Sequence, residues 1–282
     1  MRIFVTGSAG FIGSHLTRHL QASGHEVRGF DRRRGLSTTN MESLRVSVSE
    51  FGPDVIVHLG ASCSTAVSLR DPGADFTANV VGTFNVAEAA RLLGGVPVLF
   101  TSSVKVNPGA DGKIAPLGLS KRIGEDYLRL YDDLYGVPHI INRPSTVYGP
   151  GQDGTSDSGW VTWFLRAVTE RRPITINGDG TQSRDILYID DFTALLADQV
   201  EHFDEYAGHT YDVGGGPANE VDLLQLLSIF GYTKVTHAER LPGDLQRVVT
   251  DNAAVTAVRG WQPTVGWRDG VRTTLDHMER YR

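Results

Sequence analysis

Three glycines at positions 7, 10 and 13 lie in the run Gly7-Ser8-Ala9-Gly10-Phe11-Ile12-Gly13, directly after the apolar segment Met1-Arg2-Ile3-Phe4-Val5-Thr6. That spacing suits one kind of chemistry, the binding of a pyrophosphate. Gly7 permits a sharp turn out of a strand. Gly10 removes the Cβ that would keep backbone N–H groups away from phosphate, and Gly13 lets the next helix pack closely on the strand. The helix N-terminus then offers unpaired N–H groups and the positive end of its dipole. The required context is present: an apolar helix face follows (Phe11, Ile12, Leu16, Leu20), and the next strand ends in an acid, Asp31 of Val27-Arg28-Gly29-Phe30-Asp31. Asp31 can accept both hydroxyls of an adenosine ribose, which favours NAD. Arg32, Arg33 and Arg34 could instead hold a 2′-phosphate, so NAD and NADP both stand as cofactors.

The elements that must carry these residues alternate. Strands are expected at 1–6, 26–30, 54–59, 96–101 and 137–142, and helices at 11–23, 41–51, 72–93 and 116–134. Alternation of this kind argues for an α/β fold, a doubly wound parallel sheet with helices on both faces. Asn40 suits an N-cap for the helix at 41–51. In the helix at 72–93, Asn79 should face inward with Phe76 and Thr83. His58 reads as a packed strand-end residue, and Cys63 as a packing residue near the cleft. Beyond about 150, polar and glycine-rich stretches separate short strands (174–176, 186–188, 210–213) from helices (161–169, 191–202, 221–231, 271–281). This gives an expected organisation of a dinucleotide-binding domain over 1–150 and a smaller substrate-binding lobe over 151–282, interleaved with the last sheet strands. Trp160 and Trp163 are either a stacking surface or core between the two parts, and Asp190-Asp191 would cap the helix that follows.

Composition narrows the class. The chain has 282 residues, 40% hydrophobic and 21% charged, and a formal net charge of −6. The charge gives no footprint for nucleic acid. A single cysteine leaves no intrachain disulfide and fits a reducing compartment. The nine histidines have no metal-ligand spacing, so no metal is expected. No apolar run reaches membrane-span length and no leader precedes the first strand, so the expectation is a cytoplasmic protein with a small-molecule substrate.

Taken together, the motifs resemble a family. Gly7/Gly10/Gly13, Asp31, His58-Leu59-Gly60-Ala61, Asn79-Val80-Val81-Gly82-Thr83, Thr101-Ser102-Ser103, Ser120-Lys121, Arg143-Pro144, Tyr148-Gly149-Pro150-Gly151, Gln182-Ser183-Arg184-Asp185, Tyr188-Ile189-Asp190-Asp191 and Pro242-Gly243-Asp244 are similar to those of the extended short-chain dehydrogenase/reductases, the NAD-dependent epimerase/dehydratase group. Gly159 to Phe164 and Gly214 to Asn219 look most like the CDP-tyvelose (CDP-paratose) 2-epimerase branch. The resemblance implies a cofactor held by Gly7, Ala9, Gly10, Phe11, Ile12, Gly13, Asp31, Arg32, Arg33, Leu59, Gly60, Ala61, Asn79, Thr101, Lys121 and Pro144. It implies a substrate held by Ser103, Lys105, Asn107, Tyr148, Trp160 and Arg184. It also implies a homodimer through the helices at 72–93 and 116–134.

The family's catalytic set is a Ser or Thr after the fourth strand plus a Tyr-x-x-x-Lys helix, in which the i, i+4 spacing puts Tyr and Lys on one face. Ser103 and Lys121 match; the tyrosine position is Leu117. Leucine neither gives nor takes a proton, and positioned acid–base catalysis is commonly worth about 10²–10⁴-fold. Two further departures point the same way. The arginine opening the family's Arg-x-Gly-Asp motif is Leu241, with Arg240 or Arg247 as substitutes, and a shortened segment between Ser103 and Leu117 should open the pocket. The first expectation is therefore an NAD(P)H-dependent ketoreductase acting on a natural product such as an aromatic polyketide, as in antibiotic biosynthesis, with the substrate supplying the proton. The alternative is a nucleotide-sugar epimerase or dehydratase with tightly bound NAD, in which Lys105, Asn107 or Tyr148 replaces the tyrosine. The third is a nucleotide-binding protein without catalysis.

Overall fold

Ile3, Phe4 and Val5 have no exposed surface, and they fill a strand covered on both faces. A computed structural model of the protein describes residues 1–280. In it this strand, β1 (Arg2–Thr6), is followed by β2 (Glu26–Phe30), β3 (Val55–His58), β4 (Val98–Thr101) and β5 (His139–Pro144). Three strands then belong elsewhere: β6 (Thr146–Tyr148), β7 (Ile174–Asn177) and β8 (Ser183–Tyr188). The chain returns with β9 (His209–Val213), completing a six-stranded sheet of order β2-β1-β3-β4-β5-β9. All five pairings are parallel.

Alternation along the strands divides the core into two layers. Ile3, Val5, Val55, Val57, Leu99 and Ile140 face one side, with Leu16 and Leu20 of α1 (Phe11–Ala22). Phe4, Ile56, Val98, Phe100 and Ile141 face the other, with Leu44 and Val48 of α2 (Met41–Phe51). Successive side chains on a strand point to opposite faces, so near-continuous apolar runs are what a doubly covered parallel sheet needs. The connection through α1 lies on one face and that through α2 on the other. β1 thus has neighbours reached by crossovers of opposite direction, and a crevice opens beyond the carboxyl ends of β1 and β3.

The middle helices are α3 (Thr65–Arg70), α4 (Pro72–Phe76), α5 (Gly82–Leu92) and α6 (Pro116–Tyr135). The single helix expected over 72–93 is interrupted by a π turn, Thr77–Val81, which carries Asn79. A π turn inserts an extra residue and shifts the facing of what precedes it. Asn79 and Thr83 are buried as expected, but Phe76 is 50% exposed, which corrects the inward placement. Asn40 caps α2 as expected, its Oδ1 accepting from the Ser43 N–H at 3.0 Å.

Beyond β6, α7 (Trp160–Thr169), α8 (Ile189–Glu201), α9 (Phe203–Tyr206), β10 (Glu220–Asp222), α10 (Leu223–Ser228), β11 (Val235–Ala238), β12 (Arg247–Val248), α11 (Ala253–Arg259) and α12 (Trp267–Arg280) follow. β8 pairs with β6, β10 and β12, and β7 pairs with β11. The helix expected over 221–231 is a strand and then a shorter helix, because Asp222 caps α10 by accepting from Gln225 N–H at 2.6 Å. The helix expected over 271–281 begins earlier, at Trp267; Tyr281 lies outside the described residues. Asp191 does not cap α8. It sits in the first turn, and its carboxylate accepts from Thr264 Oγ1 (2.7 Å) and Val265 N–H (2.9 Å).

His58, at the tip of β3, is sealed. Its Nδ1 pairs with Thr6 Oγ1 at 2.8 Å and its Nε2 with Thr83 Oγ1 at 3.1 Å, and its ring stacks on Phe100. This agrees with a packed residue. Burial, with the Lys121 ammonium nearby, pushes its pKa from the ordinary 6.5 down to about 3. The unfolded chain therefore binds a proton here that the folded chain refuses between pH 6.5 and about 3. Stability contributed by neutral His58 is complete above pH 6.5 and is lost as pH falls through that window, by up to about 1.4 kcal/mol per pH unit. Urea unfolding at a series of pH values should show that slope, and His58→Asn should flatten it while lowering stability near neutrality.

Candidate functional site

The glycine turn forms one wall of the crevice. Gly7 has φ +68°, and a Cβ on it would lie 2.7 Å from Gly60 N; a Cβ on Gly13 would lie 2.1 Å from Gly7 O. Both glycines are required by packing. Gly10 differs, since a Cβ there would meet only Gly7 O, at 3.1 Å, and the remaining space is open. No side chain caps α1, and the first-turn amides of a helix have no intrahelical partner. An open, uncapped cradle is thus left at the start of α1. Asp31 closes its far side, Oδ2 accepting from Ala9 N–H (2.9 Å) and Oδ1 from Arg33 N–H (2.7 Å). Arg33 also donates to Ala9 O at 2.7 Å, so it braces the turn, while the side chains of Arg32 to Arg34 lie in an exposed stretch.

Across the crevice, β4 ends at Thr101, whose Oγ1 is buried without a hydrogen-bond partner. The two serines that follow are turned to different tasks. Ser102 Oγ donates to buried Glu125 Oε1 at 2.6 Å, and Glu125 is also held by Arg143 and Arg129. Ser103 is only partly buried and heads a short 3₁₀ turn, Val104–Val106. On α6, Leu117 is 2% exposed and Lys121 follows one turn later at 6%. Lys121 Nζ donates to Thr101 O at 2.8 Å and lies 4.8 Å from the centre of the Phe100 ring. Burial lowers its pKa to about 8, against the opposing pull of Cys63, Asp75 and Glu125.

Helices α3 to α6 hold this arrangement through polar contacts. Ser120 Oγ lies 2.7 Å from Asp75 Oδ2 and 3.0 Å from Leu117 O, and Asn79 Nδ2 donates to Asp75 Oδ1 at 3.1 Å. Asn79 Oδ1 accepts from Ser62 N–H at 2.8 Å. Asn79, expected at the cofactor, has its amide spent inside the protein and positions the segment after β3.

A cluster from several elements lines the rest. Lys105 Nζ donates to Thr65 Oγ1 at 2.7 Å. Arg184 NH2 donates to Asp244 Oδ1 (2.9 Å) and to Leu245 O (2.7 Å). Burial lowers the pKa of both cations, and Asp244 opposes the shift in each. The shortened segment after Ser103 does not open this side as expected. Ala110 N–H donates to Asp244 O at 3.1 Å, and Gly109 sits so close to Gly243 that a Cβ would lie 2.5 Å from Gly243 C.

Other sequence candidates fall outside. Tyr148 is fully buried; its hydroxyl donates to Trp267 O at 3.2 Å, and burial pushes its pKa up. It belongs to the core beneath β6, not to the crevice. Asn107 is exposed just past the 3₁₀ turn. Trp160 packs edge-on against Phe164, with Nε1 reaching Thr146 Oγ1 at 3.4 Å. Arg247 cannot stand in for the arginine missing at Leu241, since Nε and NH2 both pair with Glu220 at 2.8 Å. Among the described residues, no group of three or more His, Cys, Asp or Glu could hold a metal ion, and no helix is long and apolar enough to cross a membrane.

The profile of the NAD dependent epimerase/dehydratase family matches residues 3–214. This chain belongs to that family. Over 317 aligned residues, covering 98% of both chains, it is 35% identical to a UDP-glucose 4-epimerase of Mycolicibacterium smegmatis. It is 26% identical to the CDP-paratose 2-epimerase of Salmonella typhi, again over 98% of each. Among solved structures, the UDP-glucose 4-epimerase of Thermus thermophilus in complex with NAD superposes with a TM-score of 0.86, at 30% identity over 99% of each chain.

Within the extended short-chain dehydrogenase/reductases, this member is an NAD-dependent oxidoreductase type of enzyme; the relatives it matches include nucleotide-sugar epimerases and a dTDP-glucose 4,6-dehydratase, and the ketoreductase expectation finds no support among them. Sequence reasoning missed α3, which supplies Thr65 and Ser68. Six residues with one short apolar face give little periodicity to read; the local signal left unread is Ser64, which caps the helix by accepting from Val67 N–H at 3.1 Å. It also missed the Asp75–Ser120 contact, which joins residues 45 apart.

The lowered pKa of Lys121 has a measurable consequence. Its amine is charged below about pH 8 and neutral above, and a charged donor makes the stronger hydrogen bond. NADH affinity, followed by nicotinamide fluorescence, should fall as pH rises through about 8. In Lys121→Arg that fall should vanish.

Proposed function

We propose that the protein binds NAD and uses it to epimerise or dehydrate a nucleotide-linked sugar. The observation that carries this is the pairing of Lys121, tied to the Thr101 carbonyl, with a partly exposed Ser103 at the end of β4, opposite an open phosphate cradle. End-to-end similarity to nucleotide-sugar epimerases supports it. The Gly7–Gly13 turn would hold the pyrophosphate, Asp31 the adenosine ribose and Lys121 the nicotinamide ribose. When bound, NAD supplies a reversible hydride acceptor. Ser103 would orient the substrate oxygen, and Arg184, beside Asp244, would meet the sugar nucleotide's phosphates. The exposed Leu92, Leu130, Leu134 and Tyr135 on α5 and α6 support a homodimer through those helices.

A second reading, reduction of a free ketone with the substrate supplying the proton, is favoured by Leu117 and by Leu241 in place of the family's arginine. The two differ in how the cofactor behaves. An epimerase regenerates its NAD each turnover, whereas a net reductase consumes NADH or NADPH. Acid release of nucleotide from the purified protein, followed by chromatography, is expected to yield NAD. Incubation with UDP-, CDP- and dTDP-sugars should give epimerised or dehydrated product by NMR without added cofactor. Ser103→Ala should lower kcat by about 10²-fold, the cost of removing one oxyanion donor. Absence of bound NAD together with no turnover of any nucleotide sugar would reject this function, and stoichiometric NAD(P)H consumption with a ketone would establish the second.

A further inference from the structure

Oxidising a secondary alcohol removes a hydride from carbon and a proton from oxygen, and Leu117 cannot take the proton. Few titratable groups lie near it. Asp75 is held by Ser120 and Asn79. His58 is enclosed by Thr6, Thr83 and Phe100. Cys63 is exposed, 3.7 Å from Ser158 Oγ. Lys121, which donates to the Thr101 carbonyl, is assigned to the nicotinamide ribose above.

Lys105 remains, and the backbone brings it to the right place. It lies two residues after Ser103, and its carbonyl abuts the helix turn that carries Leu117; a Cβ on Gly118 would lie 2.0 Å from Lys105 O. The side chains repeat the juxtaposition. Thr65 Oγ1 accepts from Lys105 Nζ at 2.7 Å, and Ser68 Oγ accepts from the Leu117 N–H at 3.2 Å. Positions 65 and 68 are i, i+3 neighbours on α3, about 5–6 Å apart at their Cβ atoms. The Lys105 amine and the backbone N–H of Leu117 are therefore moored on neighbouring residues of one helix, one on Thr65 and the other on Ser68. The bond to Thr65 uses one donor of a group that has three when charged. The charged and titratable groups that act on the amine are Arg184, Asp244 and Cys63, and burial favours its neutral form.

We propose that Lys105 Nζ, moored on Thr65 beside Leu117, takes the proton of the substrate hydroxyl and later returns it. The proposal rests on the nucleotide-sugar function given above. In the forward step the substrate O–H bond breaks and an N–H bond forms, turning the amine into an ammonium; NAD, when bound, would supply the acceptor for the C–H electron pair as hydride. In epimerisation both transfers reverse when the alcohol is restored; in dehydration the hydride ends on the carbon that loses its hydroxyl and the proton leaves with that hydroxyl as water, so neither course needs another reactant.

The test uses the purified NAD-containing protein and the nucleotide sugar that the unmodified chain converts. Lys105→Met should lower kcat about 10²-fold or more with little change in KM and with NAD retained. Lys105→Arg should be as impaired, because a guanidinium keeps its charge but does not give up its proton. Leu117→Tyr placed in Lys105→Met should recover at least about tenfold. Independently of turnover, the ¹³C resonance of reductively dimethylated Lys105 should titrate at lower pH than surface lysines. If Lys105→Met loses its NAD, Lys105→Gln, which keeps a donor for Thr65, takes its place under the same thresholds. Retention of more than about a tenth of kcat in the Met variant, full activity in the Arg variant, or a rise in KM alone would overturn the proton role and leave the function standing. A chain that converts no nucleotide sugar would overturn both.

Discussion

Gly13 and Gly7 meet so closely that the first turn of α1 lies directly on the carbonyl end of β1. A single methyl group at either position would drive helix from strand, or strand from the segment after β3. The approach fixes the direction of α1, brings its unpaired amides to the crevice and seats Gly60 of the neighbouring strand exit. Because β1 stands between strands reached by opposite crossovers, this close contact and the crevice occupy the same spot. The remaining sheet supplies the opposite wall.

That wall is positioned by buried carboxylates. Glu125, with no exposed surface, gathers Ser102, Arg129 and Arg143. Asp185 gathers Ser145 and the N–H groups of Gly216 and Thr250. Asp75 ties α4 to α6. A buried charge left unpaired costs several kcal/mol, so each carboxylate tolerates one arrangement of its donors and few others. Ser102 is drawn down to Glu125 while Ser103 stays at the surface of the crevice. Adjacent, chemically identical residues thereby acquire different roles. Asp185 performs the corresponding service between β8, the glycine-rich segment at 214–216 and the strand end at 248–250.

Leu117 sits in a closely held frame. Its carbonyl is bonded to Ser120, its N–H to Ser68, and the lysine one turn later is in place. A leucine in this frame has neither the aromatic ring nor the titratable oxygen that a tyrosine would bring. Three cations, Lys105, Lys121 and Arg184, stand in this region, with Asp244 bonded to Arg184 alone among them. An environment of that charge favours anionic ligands and lowers the cost of keeping an amine neutral.

The amino-acid sequence by itself determined the parallel α/β sheet, the glycine cradle, the acid at its edge, and the missing tyrosine. These depend on local signals: alternating apolar runs, glycine where no Cβ fits, and a spacing of four on one helix. It also carried the boundaries of α2 and its Asn40 cap, whose determinants lie within four residues of one another. Only the tertiary structure decided which polar residues meet. Tyr148, read as a site residue from its place after β5, is withdrawn beneath α12; Asn79 serves Ser62 and Asp75; and the shortened loop after Ser103 docks on Gly243 instead of opening the cleft. Lys105 finds Thr65 forty residues away. Such pairings are set by how helices cross and how buried polar groups are satisfied, and neither is written in the spacing of one segment.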